Sequence, residues 1–199
     1  MNHGNTDNKT ETSQSDTPQL PSECRPVQSH DDILPVYLGT PVEELLVYHN
    51  LGEQFKQHPK PELLIGTCMD FRIEFRIPRD FAYVIRVGGG NLRGLEFHVS
   101  LAVASGVQAI CLIGHDQCAM SRVVDCEEAF VRGLVEQAGW GDHEAQIHYE
   151  TYSPRFAIGD EIEFVRSETA RLRRYYPRML VAPLFYSVQD RMLYQVDMG

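Results

Sequence analysis

Two short stretches hold the residue types that bind metals and move protons: Cys68-Met69-Asp70-Phe71-Arg72 and His115-Asp116-Gln117-Cys118. Thiolate sulfur and imidazole nitrogen are donors that suit a borderline-soft divalent ion such as zinc. If Cys68, His115 and Cys118 converge, they fill three corners of a tetrahedron. The fourth then stays open to water or substrate, which is the pattern of catalytic rather than structural zinc sites. In extended backbone Cys68, Asp70 and Arg72 project to one side. The plain reading of Asp70 and Arg72 is a surface ion pair, worth about 0–1 kcal/mol. The functional reading is a clamp, in which Arg72 grips Asp70 and leaves it free to accept a proton from water at the metal. Released from that grip, Asp70 could swing in and close the fourth corner itself.

Both stretches must sit at strand ends for this to work. Leu63 to Cys68 is a continuous apolar run, the pattern of a strand buried on both faces. Ala82 to Val87 is a second such run, ended by Gly88-Gly89-Gly90. Helical spacing follows from Leu92 to Ser105, with Gly106 as the natural stop, and a third strand over Gln108 to Gly114 runs into His115. Strand, helix, strand at this spacing predicts parallel βαβ units, with ligands beyond the strand ends. His115-Asp116-Gln117-Cys118 is expected where the strand passes into a helix, whose dipole would favour a Cys118 thiolate. Asp116 and Gln117 then shape the bend. Upstream, Thr40-Pro41 with Glu43 and Glu44 predicts a helix start. Downstream, the pattern is weak after Gly141, and a helix is expected from Asp160 to Tyr176, stopped by Pro177. Two strands, Met179 to Ser187 and Met192 to Val196, close the chain around a turn at Gln189-Asp190.

At 199 residues there is room for one domain and a tail. Residues 1–32 are rich in Asn, Thr, Ser, Asp, Gln and Pro and are read as a disordered tail, with a single zinc domain over 33–199. A net charge of −10 argues against nucleic acid, whose phosphates want a basic face. No apolar run is long enough to span a bilayer and no secretion signal opens the chain, so a soluble, cytoplasmic protein with no membrane partner is expected. Five cysteines in such a chain suggest no disulfide framework. Their odd number, with a histidine three residues before one, points to a metal or a catalytic thiol. No Cys-x-x-Cys supports a redox enzyme. The triple glycine lacks the lysine and Ser/Thr of a phosphate loop, so close backbone packing beside the metal is expected there. His143 and His148 fall in a loop-like stretch and are read as ordinary loop histidines.

The combination Cys68-x-Asp70-x-Arg72 and His115-x-x-Cys118, separated by Val84-Ile85-Arg86…Gly89-Gly90-Asn91 and Gly94-Leu95-Glu96-Phe97, resembles the β-class carbonic anhydrase family. Val181-Ala182-Pro183-Leu184-Phe185-Tyr186-Ser187 with Arg191-Met192-Leu193 is similar to that family's closing hairpin. The likeness runs from about Leu63 to Val196 and is weak only between Val123 and Ala157. It implies a mainly parallel α/β sheet flanked by helices, and zinc on Cys68, His115 and Cys118. It further implies a homodimer or higher homo-oligomer with the site near the interface. The implied reaction is reversible hydration of carbon dioxide to bicarbonate by a zinc-bound hydroxide, with Asp70 and Arg72 catalytic. Two thiolates neutralise the ion's charge, so its water should be less acidic than on three imidazoles, and the rate should rise toward alkaline pH. Gln57 resembles a glutamine that lines the pocket across the dimer. Three positions depart from the family pattern: Phe71 replaces a small residue, Val87 an asparagine and Ala119 a glycine. With Gly89 and Gly90 they are expected to line the pocket. Their apolar bulk also suits carbonyl sulfide or carbon disulfide, which some close relatives hydrolyse. A non-catalytic zinc protein, permanently closed by Asp70, is the remaining alternative.

Overall fold

In the computed structural model, residues 20–54 and 57–199 are described. Six strands form one sheet: β1 (Cys24–Arg25), β2 (Leu63–Cys68), β3 (Ala82–Val87), β4 (Ala109–His115), β5 (Leu180–Tyr186) and β6 (Leu193–Val196), in the order β1-β6-β5-β4-β2-β3. The central strands β3, β2, β4 and β5 run parallel, and β6 and β1 are antiparallel at the far edge. The mainly parallel α/β sheet read from the sequence is therefore present, and the strands expected there begin and end within a residue or two of their expected limits.

The apolar runs of β2 and β4 are buried at every position because helices cover both faces. Alternation sorts their side chains. Leu63, Ile65, Cys111 and Ile113 enter one cluster with Val42, Leu45 and Leu46 of α1 (Pro41–Leu46). Leu64, Ile110 and Leu112 enter the other with Val99 of α2 (Glu96–Ala104) and Ile162, Val165 and Leu172. These last three lie on the later helix α5 (Glu161–Tyr175). Thr40 caps α1 as expected, its side chain accepting the Val42 N–H, and the helix widens into a π-turn over Val47–Leu51.

Three expectations are corrected. Ala82–Val87 is not buried on both faces: β3 is the sheet edge, with only β2 beside it, so Tyr83 and Val84 are exposed. The stretch of weak pattern holds two helices, α3 (Glu127–Ala138) and α4 (Asp142–Phe156), so His143 and His148 are helical rather than in a loop. Their signal is faint for a physical reason. No residue of α3 is buried, and the inward stripe of α4 is Ala145, Tyr149 and Ser153, mostly small or polar. The tail expected over 1–32 does not hold for residues 20–32. Residues 1–19 lie outside the described residues, but Cys24–Arg25 pairs with β6, Val27 is buried, and the Asn50 amide donates to the Val27 carbonyl (3.0 Å). Val27, Ile33 and Tyr37 supply the apolar area that anchors this polar stretch. Among the described residues, no helix is long and apolar enough to cross a membrane.

Candidate metal centre

The strand register brings the two motifs together. β2 pairs with β4 so that Thr67 faces Ile113, which sets Cys68 and His115 at the carboxyl ends of adjacent parallel strands. Both chain ends there leave the sheet on the same side, and Cys118 returns to them after one bend. Gln117 makes that bend in left-handed backbone, at φ +54°. Cys68, His115 and Cys118 are all buried, and one donor atom from each lies within 4.8 Å of the others. Among the described residues this is the only such group of three or more His, Cys, Asp or Glu side chains.

The distances and protonation pattern fit a tetrahedral ion. The two sulfurs are 3.9 Å apart. Zinc at about 2.3 Å from each thiolate would separate them by about 3.8 Å. His115 Nδ1 contacts the Asp116 carbonyl at 2.9 Å and, facing an acceptor, must be the N–H. That choice leaves Nε2 as the lone-pair nitrogen, and it is buried without a hydrogen-bond partner. A buried, pre-oriented lone pair beside two thiols is a donor that a metal ion would satisfy. Hydrogen bonding from Cys118 outweighs burial and holds the Cys68 thiol well below its ordinary value. The same contact pushes Cys118 up, because one proton is shared between two sulfurs.

The Gly89 N–H points at Cys68 Sγ from 3.2 Å, which is the close backbone approach expected of the triple glycine. Gly89 sits at φ +64°, and an added Cβ would lie 2.6 Å from Ile158 Cγ2. Only glycine fits that place.

Asp70 and Arg72 form the expected clamp. Arg72 donates from Nε to Asp70 Oδ1 (3.0 Å), from Nη2 to Oδ2 (2.7 Å) and from its backbone N–H to Oδ1 (2.9 Å). Chiefly through these side-chain bonds, Asp70 is held down to about 2 and stays a carboxylate. Arg72 also reaches across to the other motif, donating from Nη2 to the Gln117 carbonyl (2.9 Å) and from Nη1 to Gln117 Oε1 (3.3 Å). Arg86 steadies the same loop, donating to the carbonyl of Ile73 (2.9 Å).

No protein-family profile matches the chain, and no curated protein does. Solved structures do. A carbonic anhydrase from Streptococcus mutans aligns over 83% of this chain and 100% of its own, with 20% identity and a TM-score of 0.53. The β-carbonic anhydrase isoform I of Trichomonas vaginalis aligns over 84% and 100%, with 20% identity and a TM-score of 0.54. The apo form of a carbon disulfide hydrolase aligns over 70% and 80%, with 16% identity and a TM-score of 0.51. The fold is that of the β-carbonic anhydrases.

Within this β-carbonic anhydrase fold some expected site residues are displaced. Cys118 does not begin an α-helix; only short 3₁₀ turns, the first Ala119–Ser121, follow it, so no macrodipole assists its thiolate. Val87 is the register partner of Cys68 on the neighbouring strand, and its side chain packs against the α2 and α5 cluster. Gln57 is exposed on the segment entering β2, at the strand end opposite Cys68. Ala119 does line a cavity of about 820 Å³ with Arg72, Gln117, Cys118, Arg122 and Glu161. Phe71 is 87% exposed and Met69 69%, so both apolar side chains stand in the open beside the clamp. The sequence reading missed Glu161, which accepts the Cys118 N–H at 3.3 Å. No short motif links a residue to a partner 43 positions away.

Proposed function

We propose that this chain is a zinc-dependent carbonic anhydrase, interconverting carbon dioxide and bicarbonate. The convergence of Cys68, His115 and Cys118, with Asp70 held aside by Arg72, is the observation that carries it. Zinc held by these three side chains would acidify a water molecule and polarise the oxygen of a substrate carbonyl. The chain's own residues do the rest. Asp70 is kept ionised and oriented, ready to accept a hydrogen bond from water in the site and so align it for attack. Arg72 fixes that carboxylate and ties the Gln117 bend to it, so both motifs keep their spacing. The closed alternative, with Asp70 as fourth ligand, would require three Arg72 hydrogen bonds to break.

Elemental analysis should find one zinc per chain, lost in Cys68→Ser. Stopped-flow hydration should rise from neutral to alkaline pH, and Asp70→Asn should lower it about 10²-fold or more. A wild-type protein with zinc but no hydration at any pH would refute the assignment. A second reading, hydrolysis of carbonyl sulfide or carbon disulfide, is favoured by the exposed Phe71 and Met69, which offer an apolar approach. Turnover of those gases above that of carbon dioxide would select it. We also read the bare edge of β3 as the contact of a homodimer, and the five free thiols as those of a cytoplasmic protein.

A further inference from the structure

We propose that Glu161 is a positioning residue that holds Cys118 in place to bind the metal. This rests on the zinc reading above. Cys118 is the ligand with the least support from regular structure: Cys68 and His115 belong to strands, whereas Cys118 follows a left-handed residue and precedes a short 3₁₀ turn. The loop carrying it is suspended from outside. Arg72 holds the Gln117 carbonyl, Asp116 Oδ1 accepts the Val188 N–H at 2.6 Å, and the Met120 carbonyl accepts the Ile158 N–H at 3.2 Å. Those ties reach residues 116, 117 and 120. The Cys118 carbonyl is held locally, by the Ser121 hydroxyl (2.7 Å) and N–H (3.1 Å). Among the described residues, the tie from outside the loop to the Cys118 peptide is the Glu161 carboxylate, which accepts its N–H at 3.3 Å.

Glu161 is well placed for this. It is the first residue of α5, and Asp160 caps that helix separately by accepting the Glu163 N–H at 2.9 Å. The Glu161 carboxylate is therefore free of the capping task and turns to the ligand loop. Val165 of the same helix packs so closely on the strand that an added Cβ on Gly114 would lie 2.5 Å from Val165 Cγ2. One helix thus sets the height of β4 before His115 and orients the peptide of Cys118 after it. A hydrogen bond to a ligand's backbone restricts where its sulfur can point, and loss of such a partner typically costs about 10- to 100-fold in metal affinity.

The test is zinc affinity, measured by chelator competition on the full chain, with the charge-transfer spectrum of the cobalt(II) form as a second readout. Glu161→Ala and Glu161→Asp should each weaken zinc about 10- to 100-fold. Aspartate keeps an acid at the head of α5 but falls short of Cys118, so it remains informative if the alanine variant does not fold. Glu161→Gln keeps the accepting oxygen and should stay within about threefold of wild type, with an unchanged cobalt spectrum. Wild-type affinity in Glu161→Asp, or a loss in Glu161→Gln equal to that in Glu161→Asp, would overturn the assignment. A wild-type protein that takes up no zinc would instead overturn the metal reading on which it rests.

Discussion

Two of the three ligands of the candidate centre are aimed by a backbone group, and the third, Cys118, is held by a side chain. Gly89 gives its N–H to Cys68, Asp116 gives its carbonyl to His115, and Cys118 gives its own N–H to Glu161. Backbone partners are rigid, so the ligands are oriented before any ion arrives. Gly89 is the most constrained of these. Gly89→Ala would combine a left-handed φ with a Cβ 2.6 Å from Ile158, so the peptide must rotate and its N–H leaves the sulfur. The expected cost is about 1–3 kcal/mol in urea unfolding, together with weaker zinc retention. The Cys, His, Asp and Arg of the centre were legible as residue types at characteristic spacing. Glu161 was not, because a single hydrogen bond between distant residues leaves no periodic trace.

Among the elements, the π-turn after α1 does unusual work. It turns His49 inward, where Nδ1 accepts the Arg76 N–H (2.9 Å) and Nε2 donates to the Arg191 carbonyl (2.8 Å). Three elements are thereby joined: the first helix, the loop that follows Arg72, and the β5–β6 hairpin. Burial, which penalises the charged imidazolium, pushes His49 below its ordinary value against the opposing pull of the Arg191 carbonyl, and the Arg76 charge adds to the lowering. The folded state therefore binds the proton less well than the unfolded chain. The stabilisation is complete above the unfolded value, about 6.5, and is lost as pH falls through the lower folded value. His49→Gln should cost about 1–3 kcal/mol at pH 8 in urea unfolding, and the gap to wild type should shrink at acid pH. An unchanged gap would contradict this. The strands were readable because burial on both faces demands unbroken apolar runs. The helices α3 and α4 were not, since a helix with little to bury needs no stripe.

For the whole molecule the sheet's two edges differ. At one, β1 covers β6 with two residues; at the other, β3 presents unpaired backbone beside exposed Tyr83 and Val84. Such an edge invites pairing with another strand. A charge on it should abolish association, so Val84→Lys is expected to sediment as a monomer where the wild type sediments as a dimer. Its secondary structure by circular dichroism should be unchanged, because the Val84 side chain is exposed at the sheet edge.

What could be read from the linear chain was whatever depends on local pattern: which runs must be buried, where they stop, and which residues at their ends carry donor atoms. Those follow from period, apolarity and turn chemistry within a few neighbouring positions. What required the folded chain was the order of the strands. That order made Ala82–Val87 an edge instead of an interior strand, drew residues 20–32 onto the sheet, and brought α5 under the Cys118 peptide. Each of these rests on contacts between segments far apart along the chain, whose energies depend on packing in three dimensions and not on any residue's immediate neighbours.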